Sequence, residues 1–64
     1  MNRTEALIKG LQILNAYNDC EVYADHDIVF AGPQDHRVVL DSDASILEDL
    51  GWYATSQWGW AFNV

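Results

Sequence analysis

Basic residues are scarce in this chain: three Lys and Arg, at Arg3, Lys9 and Arg37, stand against ten Asp and Glu. The formal net charge is −7 and the sequence pI is near 4.2. A field of that sign repels nucleic acids and anionic membranes and steers the molecule toward basic surfaces. Acidity of this kind also serves plain solubility. Cysteine is nearly absent too. The single Cys20 excludes an internal disulfide. Its acidic neighbours Asp19 and Glu21 disfavour a thiolate, so core packing is its expected role. No apolar run approaches the ~20 residues of a membrane span. The opening "MNRTEALIKG" lacks the apolar stretch of a signal peptide. A cytoplasmic location follows as the expectation.

Groupings that carry chemistry are missing as well. Ser42, Ser45 and Ser56 have no nucleophile elbow around them, and no glycine-rich loop precedes a helix to cradle phosphate. No catalytic residue, no cofactor and no enzymatic activity are expected. Tyr53, Trp58 and Trp60 offer stacking surfaces, but without a basic track they do not point to direct nucleic-acid binding.

What the chain has is apolar and aromatic mass. Half of its 64 residues are hydrophobic and three are Trp, too much for a disordered segment. A chain of this length makes one domain and buries only about 60% of its unfolded surface. The expected core is therefore thin, and both a monomer and a homodimer fit.

Periodicity divides the chain into six elements. Leu7, Ile8, Leu11, Leu14, Ala16 and Tyr17 form an apolar stripe at helical spacing over residues 4–17, with Thr4 as N-cap and Glu5 in the first turn. Gly10 weakens this helix and leaves room for a strand to pass close. From Cys20 the period becomes two. Cys20, Val22 and Ala24 are expected on one face and Glu21, Tyr23 and Asp25 on the other. A turn over residues 24–27 leads to a second strand with Ile28 and Phe30 on the core face. "AGPQDHR" reads as a turn, Val38 to Leu40 as a short extended piece, and Ser42 or Asp43 as the cap of a second helix. That helix turns Ile46, Leu47 and Leu50 inward and stops at Gly51. Residues 52–64 read as a second hairpin with its turn near residues 55–57. The fold class is α+β: residues 1–64 form a single domain in the order α-β-β-α-β-β, a small antiparallel sheet of two hairpins with both helices packed on one face.

Asp25, His26 and Asp27, with Asp35 and His36, raise the question of a metal. Neighbours along a strand point to opposite faces, so the cluster reads as turn residues and no metal is expected. The remaining candidates are the carboxylates. Glu21 and Asp25 share a strand face with Asp27 close by, and alternate carboxylates on a strand stand about 6.6–6.8 Å apart. Asp35, Asp41, Asp43, Glu48 and Asp49 fall in loops or on an outward helix face. Such a set can imitate a line of phosphates for a site rich in Lys and Arg. The plainer roles are helix capping for Glu5, Asp41 and Asp43 and a solvated helix face for Glu48 and Asp49. Trp58 and Trp60 share one face of the last strand, as core or as an anchor for a partner, and most of the aromatic residues are expected in the core.

"HDIVFAG" followed by "ILEDLGWYATSQWGWAFNV" resembles a group of short acidic proteins of bacteriophages and bacterial mobile elements, in which a helix, a His-Asp plus apolar strand, an "L..LGW" segment and a closing Trp-aromatic strand follow one another. Some small acidic phage proteins of this size are anti-CRISPR proteins. The resemblance implies an inhibitory binding protein in the host cytoplasm that covers a basic nucleic-acid-binding surface of a host protein, such as a CRISPR effector subunit, as a DNA mimic. Glu21, Asp25, Asp27, Asp35, Asp41, Asp43, Glu48 and Asp49 are the candidate binding residues. The alternative is a small self-associating structural or regulatory module of phage origin, held together through Trp58, Trp60 and the sheet edge.

Overall fold

A computed structural model of the protein describes residues 2–17, 21–56 and 58–64. The elements in chain order are α1 (Arg3–Asn15), β1 (Glu21–Asp25), β2 (Ile28–Gly32), a 3-10 turn (His36–Val38), α2 (Asp41–Leu50), β3 (Tyr53–Ala54) and β4 (Trp60–Asn63). The strands form one antiparallel sheet in the order β1-β2-β4-β3. β2 and β4 are thus central and β1 and β3 are its edges. The α+β class and the element order expected from periodicity hold. Among the described residues no helix is long and apolar enough to cross a membrane.

α1 starts one residue earlier than its composition predicts. Asn2, not Thr4, is the N-cap, and its Oδ1 accepts the Glu5 N–H at 2.8 Å. The face it buries is Ala6, Gly10 and Leu14, with Leu7, Leu11, Ile13 and Tyr17 packed at the margins and Ile8 left 48% exposed. The stripe is rotated toward its smallest residues because Trp52 lies across them. The Trp52 indole N–H donates to the Ala6 carbonyl at 3.1 Å, and a Cβ on Gly10 would collide with the indole ring. Gly10 does allow a close approach, but the visitor is an indole rather than a strand.

α2 begins at Asp41 after Leu40, with no side-chain cap from Ser42 or Asp43. Tyr17, at the end of α1, takes over part of that role. Its hydroxyl accepts the Leu40 N–H at 2.9 Å and donates to Asp43 Oδ2 at 2.6 Å. The bond to Asp43 and partial burial raise the phenol pKa above its ordinary 10.0. α2 buries Leu47 completely and Leu50 partly, while Ile46 stays 48% exposed rather than facing in. Gly51 ends the helix with φ 101°, its N–H on Glu48 O at 3.0 Å and the Trp52 N–H on Leu47 O at 2.9 Å. This stop satisfies two last-turn carbonyls and delivers Trp52 straight into the core. There it meets Phe62 at 5.3 Å between ring centroids.

The register of the first hairpin corrects the expected faces. Its turn is only His26 and Asp27, closing on the Asp25–Ile28 pair. Val22 and Ala24 therefore lie opposite Ala31 and Val29, and Tyr23 lies opposite Phe30. Ala31 and Val29 belong to the core beneath the helices, whereas Ile28 and Phe30 turn to the open face with Tyr23. A strand's faces alternate, so the Asp25–Ile28 closing pair sets Ile28 and Phe30 on the face of Asp25 and Tyr23 rather than on that of Ala24 and Val22. Val22, expected in the core, is 62% exposed. Cys20 lies outside the described residues, as does Gln57 in the second turn. Of the piece expected to be extended, Val38 closes the 3-10 turn, while Val39 (φ −75°, ψ 131°) and Leu40 (φ −60°, ψ 147°) are extended as expected and lead into α2.

Candidate protein-binding surface

The open sheet face is organised around Tyr23. Its ring lies 6.1 Å from that of Phe30 across the hairpin and 5.9 Å from that of Trp58. Trp58 reaches this position through a fixed turn. Its N–H donates to Thr55 Oγ1 at 3.0 Å, and that hydroxyl donates in turn to the Gly59 carbonyl at 3.0 Å. The Gly59 N–H donates to Gln34 O at 2.9 Å. Gly59 has φ 54°, and a Cβ there would meet the carbonyl oxygens of Pro33 and Ala31. This kink separates residues that an extended strand would keep together. Trp60 packs with Leu14 and Leu47 in the core beneath the helices, while Trp58 sits half-buried against Tyr23. The expectation that Trp58 and Trp60 share a face is thereby corrected. Both indole N–H groups are buried without a partner among the described residues.

Carboxylates rim this aromatic centre. Glu21 and Asp35 line one depression with Trp58, and Asp25 lines the adjoining one with Tyr23, Phe30, Thr55, Ser56 and Trp58. Glu21 and Asp25 are on one face of β1, as their spacing predicts, and Asp27 is exposed in the turn that follows the strand. Asp35 differs from the other three. It takes Arg37 Nε at 3.0 Å and Nη2 at 3.1 Å, and the Arg37 backbone N–H at 3.0 Å. The Arg37 guanidinium, helped by that N–H, holds its pKa at about 2. It is the one pairing of a carboxylate with Lys or Arg among the described residues. The one ion-pair contact of Asp25 among the described residues is with His26, at 3.6 Å. Among the described residues no Lys or Arg pairs with Glu21, Asp25 or Asp27, which consequently present negative charge.

The other four candidates belong to α2, in the helix layer. Asp41, Glu48 and Asp49 are exposed, and Asp43 is half-buried with its carboxylate on the Tyr17 hydroxyl. Asp43 thus holds the two helices together, and the eight carboxylates divide between two layers rather than forming one row. Among the described residues no three His, Cys, Asp or Glu side chains come together as metal ligands would. His26 instead carries the hairpin turn, with φ 53°.

Sequence reasoning placed Glu21, Tyr23 and Asp25 together on one face of β1 but assigned Phe30 to the core face, and so missed it as the aromatic neighbour of Tyr23. The available signal was the pair "HD" between two apolar runs: read as a two-residue turn, it puts Tyr23 and Phe30 opposite each other. Comparison with protein-family models, curated proteins and solved structures gave no match.

Proposed function

We propose that this chain is an inhibitory binding protein of the anti-CRISPR kind that its sequence resembles, acting in the host cytoplasm by covering a basic nucleic-acid-binding surface. The observation that carries this reading is the charge of Glu21 and Asp25, paired with no Lys or Arg among the described residues, beside the exposed side of Tyr23 and the half-buried Trp58, with Asp27 exposed in the adjoining turn. Carboxylates that lack a cation at home form charge-assisted hydrogen bonds with Arg and Lys of a partner. Aromatic faces next to them favour the same cations through their quadrupoles. Net charge −7 adds attraction at longer range and speeds encounter with a basic surface. Arg37 is already engaged by Asp35, so it opposes the approach of a cation less than a free guanidinium would. The carboxylates of α2 contribute to the field rather than to the contact.

The test is capture of purified CRISPR effector subunits by the immobilised protein, with a Glu21→Lys/Asp25→Lys/Asp27→Lys triple variant in parallel. Capture that weakens with salt and is lost in the triple variant while its circular dichroism stays native is the expected result. Equal capture by both proteins removes the hairpin from the interface. A salt-independent dimer without any captured subunit would favour self-association instead.

A further inference from the structure

We propose that the free edge of β1 accepts an extended basic segment of the partner as a fifth strand of the sheet. This rests on the reading of the partner as basic and goes further, to the conformation in which it binds.

All five residues of β1 are exposed, and β1 ends the sheet on its side. In an antiparallel pair the residues alternate between bonding to their neighbour and pointing their N–H and C=O away from it. The two-residue turn closes on Asp25 and Ile28, so Asp25, Tyr23 and Glu21 bond toward β2 and Val22 and Ala24 turn their backbone groups outward. The opposite edge, β3, is two residues long and offers no comparable template. On the helix side of β1, Val22 continues into a shallow apolar groove with Ile8 and Leu11 of α1. On the other side stand Glu21, Tyr23 and Asp25.

Charge selects the occupant. A second copy added antiparallel about Tyr23 would set each Glu21 against the other's Asp25, and like charges directly opposite destabilise a ladder. Charged edge residues are a common guard against this kind of self-pairing. The same two carboxylates suit an incoming strand with Lys or Arg at positions four residues apart, a spacing of roughly 13 Å along a strand. Apolar residues at its second and fourth positions fall opposite Ala24 and Val22, above the groove. The required pattern is cation, apolar, any, apolar, cation. Main-chain bonds supply the common part of the affinity and the side chains on either face supply the selection.

A labelled nine-residue peptide with the central sequence Lys-Val-Thr-Val-Lys serves as probe, against a peptide of the same composition with both Lys adjacent. Amide hydrogen exchange read by NMR is expected to slow at least tenfold at Val22 and Ala24 in the complex, and the alternating peptide to bind at least fivefold tighter than its control. Ala24→Pro removes one outward donor and should weaken binding at least fivefold. If that variant fails to fold, a peptide N-methylated at the Val residues tests the same bonds on unaltered protein. Equal binding of the two peptides with unchanged exchange at Val22 and Ala24 overturns strand addition while leaving a basic partner in place. Absence of binding by either peptide, together with dimerisation in ultracentrifugation, overturns both.

Discussion

Gly10→Ala is the substitution that most sharply separates packing from local propensity. In the interior of an isolated helix the change stabilises by about 1 kcal/mol. Here the added methyl collides with the Trp52 indole, which lies across Gly10 and donates to the Ala6 carbonyl at 3.1 Å. Displacing the ring overpacks the core, at about 1–3 kcal/mol. It also strands a buried indole donor, at about 1–3 kcal/mol. Set against the propensity gain, the net loss is about 3 kcal/mol. For a domain of this size that lowers Tm by roughly 12–24 °C. It also removes a large share of a total stability on the order of 3–10 kcal/mol. Urea unfolding followed by tryptophan fluorescence measures the loss, and the Trp52 Nε1–H resonance reports whether the bond to Ala6 survives. Lys9→Ala, at an exposed position of the same helix, is the control and should change stability little. A Gly10→Ala protein as stable as the parent, or more stable, with the indole resonance unmoved, would refute the packing account.

Tyr17→Phe removes both the acceptor for the Leu40 N–H and the donor to Asp43; a loss of about 1–2 kcal/mol in chemical denaturation is expected. Because the folded state raises the Tyr17 pKa above 10.0, its contribution is fully present below pH 10 and fades as pH rises through the folded value. Asp35 should titrate at about 2 by carboxyl NMR and return toward 3.8 in Arg37→Ala. Its depressed pKa places its stabilising effect above pH 3.8, with loss as pH falls toward 2. His26→Gly relieves a side chain held at φ 53°, and a gain of about 1 kcal/mol in thermal unfolding is expected.

Patterns of two and 3.6 in the sequence made the element order legible, and Gly51 marked the end of α2 where the structure has it. The faces were harder to read. Whether Phe30 packs under the helices or on the open side depends on one residue of turn length between β1 and β2. Trp58 and Trp60 differ in face because Gly59 takes φ 54° between two carbonyl oxygens, a backbone state that its neighbours in sequence do not announce. The rotation of α1 has a similar origin, since it answers to Trp52, 42 positions further along the chain than Gly10. In the candidate surface the charges of β1 were legible because alternation alone places Glu21 and Asp25 together. The loss of Asp35 to Arg37 and of Asp43 to Tyr17 was not, because both depend on where loops and helices meet.

Displacement of DNA from the proposed partner tests the central claim most directly. Fluorescence anisotropy of labelled target duplex bound to a purified CRISPR effector complex is measured as the protein is titrated in, at two salt concentrations. The account predicts that anisotropy falls to the value of free DNA, that the apparent affinity weakens as salt rises, and that Glu21→Lys/Asp25→Lys/Asp27→Lys leaves the DNA bound. Full DNA occupancy at saturating wild-type protein that is shown to be attached to the complex would contradict it.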